Sequence, residues 1–415
     1  MDTTEVKPLR HKLSYFLHRF DGEIKTAPSR RHFRTYVKGQ LSNLERKNVA
    51  SIALEAGVAP RSLQEFVEIH RWEHDEMRMR LQEVVMQEHA DAHAVGLLDE
   101  TSYAKKGDKT AGVERQYCGA KGKTDNCVVT VHLGYVAEGF HALIDSDLYL
   151  PEETWAQDRQ RCREAGIPDG VVYRPKWQIG LDLLARSWAQ GVRFEYLVAD
   201  EEYGKCHTFR HGVASYGVSY VVEVPCSLQG WTKRPPTFPA GERTCQKGRI
   251  PTKERLACWA APSRRVDRLW KRGGPSWEAF HIKDTDKGPV VWQVRVSRFF
   301  PWEEGLPGPQ QWLMVARHVV TGEVKYFLCN APEDTPLEKL LHVAFCRAHI
   351  ERLFEDAKGQ VGLDHFEVRK YQPLMRHLVL SMVSLLFLAR ETDRPGGKKI
   401  IVEPAPYPAG RRRAA

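Results

Sequence analysis

The sequence predicts a mixed α/β protein with a helical N-terminal region and a mainly β insertion. Short apolar segments typical of buried strands occur at 94–98, 127–136, 140–150, 194–199 and 219–224. Helical segments at 154–165 and 176–190 lie between the third and the fourth of these strands. Consecutive strands pair readily as an antiparallel meander, whereas strands separated by helices need crossover connections. The order therefore predicts one sheet with both antiparallel and parallel strands.

The first ninety residues have a helical pattern. Apolar residues follow a period near 3.6 over 44–57, and Gly57 is suited to end that helix. Pro60 is suited to begin a second helix, and two helices across a glycine-containing turn are typical of a helix-turn-helix. A plain helical bundle with a solvated basic face explains the same pattern. If the pair binds DNA, the candidates for contacting base edges are Arg61, Ser62 and Gln64.

The stretch 226–335 differs from the rest of the chain in composition. It begins with sequence rich in Pro and Gly, contains a basic patch over 247–272, and ends in strand-like runs at 290–296, 312–320 and 323–328. Thr321-Gly322 is suited to a hairpin turn between the last two runs. We expect a mainly β insertion here, followed by one helix over 336–359 and another over 371–390.

Charge and cysteine usage limit the classes of function. The formal net charge of +9 favours a polyanionic partner such as nucleic acid. The nine cysteines form no CxxC pair or Cys/His cluster, which argues against a disulfide framework or a structural zinc site. The N-terminus lacks the pattern of a secretory signal, and the apolar stretch 378–388 is shorter than a membrane span. We expect a cytosolic protein with no membrane partner.

Three carboxylates have sequence positions that suit the binding of metal ions at a phosphodiester. Asp99 and Asp200 each end a predicted apolar strand, and side chains at strand ends are accessible to ligands. Neighbouring carboxylates repel unless a cation lies between them, and hard oxygen ligands suit Mg²⁺ or Mn²⁺. A third carboxylate, Glu351, shares a predicted helix with Arg347 and Lys358, whose cationic side chains are suited to phosphate oxygens. Strand-end turns, helix caps and a solvated salt-bridge face are the ordinary alternatives.

The order of these motifs resembles that of bacterial insertion-sequence transposases of the DDE class, which have a ribonuclease-H-like catalytic domain. The resemblance runs from about Tyr36 to about Ala389. Five segments carry this resemblance, and the last two in the chain are the most specific. The segments that carry it are Leu98-Asp99-Glu100-Thr101 with Lys105-Lys106-Gly107, Arg115-Gln116-Tyr117-Cys118-Gly119, Val198-Ala199-Asp200, Ile350-Glu351 through Ala357-Lys358-Gly359, and Gly362-Leu363-Asp364-His365-Phe366.

The resemblance implies that Asp99, Asp200 and Glu351 are the DDE triad and bind two Mg²⁺ or Mn²⁺ ions. Related enzymes carry a Tyr-x2-Arg-x3-Glu-x6-Lys signature, and this chain has Ala344 at the Tyr position. Asp99 is favoured over the adjacent Glu100 because it ends the apolar run, and neighbours in a strand point to opposite faces. Two further groups of residues are candidates for contacts with DNA. These are Lys105 and Lys106 on phosphates, and Trp231, Trp259 and Trp292 either on a flipped base or in the core.

The resemblance also implies the partners and the domain organisation. The expected partners are the element's terminal inverted repeats, target DNA and a second copy of the chain in the DNA complex, with the bound protein at the bacterial nucleoid. A catalytically silent DNA-binding protein and a nuclease that cuts without joining remain alternatives, and a two-carboxylate glycoside hydrolase is remote. The predicted parts are a helical DNA-binding domain at 1–90, a ribonuclease-H-like domain at 91–225 and 336–392, a mainly β insertion at 226–335, and a basic flexible tail at 393–415.

Overall fold

The computed structural model describes residues 3–242, 250–270, 273–285, 288–392 and 403–404. They belong to two units. The first combines Met1–Glu195 with Ala348–Gly397, and the second combines Tyr196–Arg347 with Lys398–Ala415. These boundaries differ from the predicted domain limits, which remain a prediction. The arginine run at 411–413 of the predicted tail lies outside the described residues.

The described residues form twelve α-helices besides short 3₁₀ and π turns. They are α1 (Thr3–His18), α2 (Ala27–Gln40), α3 (Val49–Glu55), α4 (Pro60–Glu68), α5 (His74–His89), α6 (Arg159–Glu164), α7 (Lys176–Ala189), α8 (Glu201–Gly204), α9 (His207–Ser215), α10 (Leu337–Cys346), α11 (Ala348–Val361) and α12 (Tyr371–Thr392).

The strands of the first unit are β1 (Val95–Ala104), β2 (Glu114–Cys118), β3 (Lys123–Ala137) and β4 (Phe140–Leu148). Those of the second unit are β5 (Tyr196–Ala199), β6 (Ser219–Glu223), β7 (Gln229–Trp231), β8 (Thr237–Phe238), β9 (Arg255–Leu256), β10 (Arg264–Arg265), β11 (Glu278–Thr285), β12 (Gly288–Glu303), β13 (Leu306–Pro307), β14 (Gln311–His318), β15 (Val324–Cys329) and β16 (Glu403–Pro404). Together with the flanking helices they confirm the predicted mixed α/β class.

The predicted meander is present in the first unit, where β3 pairs antiparallel with both β1 and β4. The prediction that Asp99 ends its strand is wrong. Strand β1 continues to Ala104 because its polar second half pairs with β3 through the register Ala104↔Cys127. A short strand that the sequence did not predict, β2, also pairs with β3. Asp99 therefore lies in the interior of a strand, where the pleat fixes the direction of its side chain.

Helices cover both faces of this sheet at close range. Helix α7 packs where Gly180 faces Leu98, and a Cβ at position 180 would lie 2.4 Å from a Leu98 methyl group. On the other face, a Cβ at Gly134 would lie within 3.4 Å of Leu97, Ile350 and Leu353. Ile350 and Leu353 belong to α11. Odd-numbered residues of β1 therefore face α11, and even-numbered residues face α7.

The predicted N-terminal helix pair corresponds to α3 and α4. The first helix begins at Val49 rather than near Leu44, because the Asn48 side chain caps it by accepting a hydrogen bond from Ser51 N. Within the first unit, α3 packs against α2 and α4, and α4 packs against α2 and α12. Buried Arg376 of α12 donates hydrogen bonds to the carbonyl oxygens of Val67, His70 and Trp72, at the end of α4 and in the following turn.

The second unit is mainly β, as predicted for most of its length. Strands β5 and β6 are parallel, and β6, β15, β14 and β12 follow in antiparallel order. The predicted hairpin is confirmed, because His318 N donates to Glu323 O across the Thr321-Gly322 turn. The predicted single helix over 336–359 is wrong. It consists of α10 and α11, which are separated at Arg347, and we have no physical account of that break.

Helix α12 is long and apolar enough to cross a membrane by length and composition alone. Of its apolar window, 83% is buried inside the structure, and core helices of soluble proteins pass the same test. The buried polar groups of this helix have partners within the fold. His377 Nδ1 is 2.8 Å from the Tyr36 hydroxyl, and the Ser381 hydroxyl accepts from the Gln40 amide at 2.8 Å. This pattern is typical of a core helix.

Candidate active site

Asp99 and Glu100 point to opposite faces of the first unit's sheet. Asp99 is 9% exposed, and its Oδ1 accepts a hydrogen bond from Glu100 N at 2.8 Å. By the alternation along β1, Asp99 faces α11 with Leu97. Glu100 faces α7, where its carboxylate forms an ion pair with Lys176. Of these two acidic side chains, Asp99 is the one directed to the face on which α11 packs.

Glu351 lies on α11, the helix that covers the Asp99 face. Its neighbour Ile350 is buried against the sheet, while Glu351 itself is exposed. One turn further on, the Phe354 ring packs against His132 with their centroids 5.3 Å apart. His132 pairs directly with Asp99 across β1 and β3. Asp99 and the helix that carries Glu351 therefore lie on the same side of this sheet, and Phe354 of that helix packs on the residue paired with Asp99.

His132 is a site residue that the sequence analysis missed. It is fully buried, and its Nε2 lies 2.6 Å from the Thr130 hydroxyl and 3.2 Å from the Tyr103 hydroxyl. Its Nδ1 is buried without a hydrogen-bond partner among the described residues. Burial, aided by the positive charge of Lys358, lowers the pKa of His132 to about 3, so the imidazole is neutral at pH 7. No motif distinguishes this histidine in the sequence.

The predicted phosphate-binding lysines have different surroundings. Lys358 Nζ lies between α11 and β1 and donates to Ser102 O at 3.4 Å, and burial lowers its pKa. Lys105 donates to Phe366 O at 2.6 Å and lies 3.4 Å from the centre of the Phe366 ring. Burial lowers the pKa of Lys105 to about 8. Lys106 is exposed, so it is the more accessible of the two adjacent lysines for a phosphate.

Asp200 belongs to the second unit, where it directly follows β5. Its Oδ1 accepts from Glu202 N at 3.0 Å, and the residue thereby caps the short helix α8. Asp200 therefore has the helix-cap role that the sequence analysis gave as its ordinary alternative. A cap of this kind still leaves an acidic side chain at the carboxyl end of a parallel strand, a common position for ligand-binding groups. Arg347 lies between α10 and α11, outside the helix that carries Glu351.

The candidates for base contacts lie on the exposed face of α4. Arg61 pairs with Glu65 at 2.7 Å, and the Gln64 amide donates to Glu68 at 3.0 Å. Both are pairs between residues four apart on one helix, which water competes with effectively. A DNA phosphate or base edge would have to replace these acidic partners. Contact between α4 and DNA remains a prediction.

Two of the three tryptophans considered for base stacking have a core role. Trp231 and Trp292 are each 5% exposed, and Trp231 Nε1 donates to Ala261 O at 2.7 Å. Trp259 is 68% exposed and packs edge-to-face on Phe238. Trp302, which the sequence analysis did not consider, is 48% exposed. It lies between Pro301 and Glu303, and no periodicity in the sequence distinguishes it from a core residue.

The donor chemistry of the predicted triad fits a hard divalent cation, because all three side chains are carboxylates. Asp99 and Glu351 lie on one side of the first unit, whereas Asp200 is in the second unit. Within the described part of the chain, no three His, Cys, Asp or Glu side chains form a group that would hold a metal ion. Asp99 and Glu351 are therefore both carried by the first unit, and the assignment of all three carboxylates as metal ligands remains a prediction.

Comparison with known proteins gives a family match. A sequence model described as DDE superfamily endonuclease matches residues 19–285, more than half of the chain. A probable transposase for insertion sequence element IS701 from Microchaete diplosiphon is 29% identical over 188 residues. That match covers 45% of this chain and 46% of the relative, so the chain aligns with about half of the relative's length.

The chain also matches a solved structure, the Mos1 mariner paired end complex with Mn, at 12% identity. The match covers 41% of this chain and 53% of that chain, with a TM-score of 0.17. A TM-score this low carries no argument about the fold. The family match rests on the sequence model.

Proposed function

The chain belongs to the DDE superfamily endonucleases, and from this premise we propose that it is a DNA transposase. In this proposal it cleaves insertion-sequence ends and transfers the resulting 3′-OH strands to target DNA. The similarity to a probable insertion-sequence transposase supports transposition over simple hydrolysis. The observation that supports the proposal is that Asp99 faces α11, the helix that carries Glu351, whereas Glu100 is directed to the other face of the first unit's sheet.

The proposed ligands of the metal ions are Asp99, Asp200 and Glu351. Bound Mg²⁺ or Mn²⁺, as two ions, would supply activation of water and neutralisation of charge on the leaving 3′ oxygen. The chain's own residues fix the ligands in place. Asp99 is held in the interior of a paired strand, and Glu351 is held by the buried residues of α11 on either side of it. This arrangement is suited to phosphoryl transfer, which depends mainly on positioning and charge.

His132 has a positioning role in this proposal. The neutral imidazole of His132 lies on β3, is paired with Asp99 and packs on Phe354, so it occupies this face beside Asp99 without adding a charge. A cationic group there would compete with a metal ion for Asp99. Lys358 is a half-buried residue of the same helix as Glu351, and it supplies the positive charge for a phosphate oxygen. Arg347 and Lys106 are proposed as further phosphate contacts, and Arg61 and Gln64 as base contacts.

The partners of this proposal are double-stranded DNA, as element ends and target, and a second copy of the chain. Two ends must be processed together for an element to move as one piece, which favours a dimer in the DNA complex. A protein of this kind would work in the cytoplasm at the nucleoid. The dimer is proposed from this requirement alone.

A cleavage assay with a matched pair of variants tests the proposal. Purified protein is incubated with DNA carrying its genomic flanking ends, with and without Mg²⁺, beside Asp200→Asn and Glu201→Gln. Asparagine is as good a helix cap as aspartate, so Asp200→Asn removes the charge and keeps α8 in place. We expect end cleavage and joined products with the wild type and Glu201→Gln, and neither with Asp200→Asn.

The outcomes separate the alternatives. Cleavage without joined products, when target DNA is present, would indicate a nuclease. DNA binding without cleavage in Mg²⁺ or Mn²⁺, unchanged by Asp200→Asn, would indicate a catalytically silent DNA-binding protein. Loss of cleavage in both variants would show that the region around Asp200 is needed for folding rather than for metal binding.

A further inference from the structure

The second unit contains a basic cavity that the proposed carboxylate site does not use. It has a volume of about 440 Å³ and is lined by Gln229, Ser263, Arg264, Arg265 and Arg268. Strands β7 and β10 form its wall, with Arg264 paired to Gly230 and Arg265 paired to Gln229. Position 230 has no space for a side chain, because a Cβ there would lie 2.3 Å from Phe300 O of β12. The wall is therefore packed firmly against the main sheet of the unit.

The three arginines of this cavity are not equivalent. Arg265 is held in place by a two-pronged contact with Asp267, at 3.1 and 2.8 Å. Arg264 and Arg268 are exposed, and within the described part of the chain neither has a carboxylate partner at ion-pair distance. Three arginines against one aspartate give the cavity a net positive charge. Guanidinium groups without a protein partner are well suited to bind phosphate oxygens.

A second cavity of about 350 Å³ adjoins the first, because Gln229 lines both. Its lining includes Leu228, the exposed ring of Trp302, and Glu303. The Glu303 carboxylate is already neutralised by Arg210 at 2.6 Å and His211 at 3.0 Å. The second cavity has mixed charge, because Lys205 lines it beside Glu303 and Glu304. The first cavity has only cationic charged groups besides the paired Asp267 and suits a phosphate, whereas the exposed Trp302 ring of the second is suited to stack on a base.

We propose that Arg264, Arg265 and Arg268 form a phosphate cradle that binds the backbone of DNA at a site separate from the triad. The identification of the polyanion as DNA rests on the proposed function, whereas the phosphate chemistry rests on the cavity. An extended polyanion is favoured over a single small ion because the two adjoining cavities are much larger than one phosphate group. The cradle adds affinity and fixes the direction of the strand, without reading its sequence.

The test is a DNA-binding measurement in EDTA, which needs neither metal ions nor cleavage. Fluorescence anisotropy of a labelled duplex is recorded over a series of salt concentrations for wild type and for the double variant Arg264→Ala/Arg268→Ala. Arg265 is left unchanged, because its contact with Asp267 shapes the wall. The matched control, Lys233→Ala/Lys253→Ala, removes two exposed cations of the same unit that do not line the cavity. Thermal unfolding checks that both variants fold.

We expect the arginine variant to bind the duplex about tenfold more weakly at 0.1 M salt. Its slope of log K against log salt should fall by about 1.8, the value for two lost phosphate contacts. The lysine control should leave both quantities near those of the wild type. Equal losses in the two double variants would overturn the proposal, because they would indicate a general charge effect. An unchanged arginine variant would overturn it as well.

Two further arms distinguish the source of the phosphate and separate this proposal from the proposed function. Inorganic phosphate at millimolar concentration should not displace the duplex. If it does, the cavity binds a small free anion and not a DNA backbone. The arginine and lysine double variants are also assayed for cleavage of end-bearing DNA in Mg²⁺. If the protein binds the duplex through these arginines but never cleaves it, the phosphate cradle is supported and the transposase proposal is refuted. If it cleaves and joins DNA but the arginines do not affect binding, the transposase proposal is supported and the phosphate cradle is refuted.

Discussion

The opposite directions of Asp99 and Glu100 lead to a sharp prediction about two adjacent acidic residues. In β1, Asp99 faces α11 and Glu100 faces α7, where it pairs with Lys176. Asp99→Asn and Glu100→Gln each remove one negative charge and keep the shape of the side chain. The asparagine oxygen still accepts the hydrogen bond that Asp99 Oδ1 receives from Glu100 N. Neither change is expected to disturb the pairing of β1 with β3.

The two changes should differ greatly in their effects on catalysis. If Asp99 binds metal, its loss removes several kcal/mol of charge stabilisation, and about 4 kcal/mol corresponds to roughly a thousandfold loss of cleavage rate. Glu100→Gln removes only a partly exposed ion pair, whose members are 20% and 33% exposed. Screening by solvent limits that contribution to about 1 kcal/mol of stability, with little change in cleavage.

Three measurements check this prediction. Cleavage of end-bearing DNA in Mg²⁺ gives the rate, Mn²⁺ titration followed by electron paramagnetic resonance gives metal binding, and urea unfolding gives stability. Asp99→Asn should lose cleavage and weaken Mn²⁺ binding, while Glu100→Gln should show only a small loss of stability. Lys176→Met should reproduce the stability loss of Glu100→Gln. Full cleavage by Asp99→Asn, or loss of cleavage in Glu100→Gln with normal stability, would refute the assignment of the two faces.

Three further predictions concern stability and DNA binding. Burial lowers the pKa of His377 to about 4, below the ordinary 6.5, so the unfolded chain takes up the proton first and stability falls as the pH drops below 6.5. The loss should be about 2 kcal/mol between pH 7 and pH 5, and urea unfolding of His377→Gln should show a smaller difference between these pH values. Arg376→Met should destabilise the protein by about 3 kcal/mol or more, because it leaves buried carbonyl oxygens without a donor; an unchanged melting temperature would contradict this. Lys358→Met should lower the salt dependence of duplex binding by about one phosphate contact; thermal unfolding checks that the protein stays folded without the hydrogen bond from Lys358 to Ser102 O, and an unaltered salt slope would exclude a phosphate contact.

Much of the fold was predictable because apolar residues mark buried segments. Strands β3, β4, β5 and β6 and helices α4, α7 and α12 lie close to the predicted ranges. The hairpin at Thr321-Gly322 followed from turn chemistry, and Gly322 has the positive φ of 73° that favours glycine. Local patterns of this kind need no knowledge of distant contacts.

The errors have a common cause in contacts between residues that are far apart in the sequence. The second half of β1 is polar, so its pattern does not predict a buried strand. It is nevertheless buried at Thr101, Ser102 and Tyr103, because β3 pairs with it along its whole length. The division of 336–359 at Arg347 has no Gly or Pro to mark it. The pattern predicts which side chains avoid water, but not which partner covers them.

The candidate site shows the same limit at the level of single residues. The sequence identified Asp99, Asp200 and Glu351 as three candidate metal-binding carboxylates, and alternation along a strand was a reason to prefer Asp99 over Glu100. It did not identify His132, because a lone histidine in an apolar strand is ordinarily a core residue. It also predicted Lys105 to be a phosphate contact, whereas the ammonium group packs on Phe366, more than 250 residues away.

The contact between Lys105 and Phe366 bears on the family resemblance itself. Lys105 belongs to the motif that follows Asp99, and Phe366 ends the motif that follows Glu351. Lys358, in the segment that carries Glu351, also donates to the carbonyl oxygen of Ser102, which lies between Thr101 and Lys105 of the Asp99 motif. The two segments that carry the resemblance thus hold each other in the first unit, through contacts that do not involve either carboxylate. Substitution of Lys105 would therefore shift the loop after α11 as well as remove a charge, so a loss of cleavage in such a variant would not identify a phosphate contact. Lys106, exposed beside it, is the residue at which a phosphate contact can be tested without disturbing that packing.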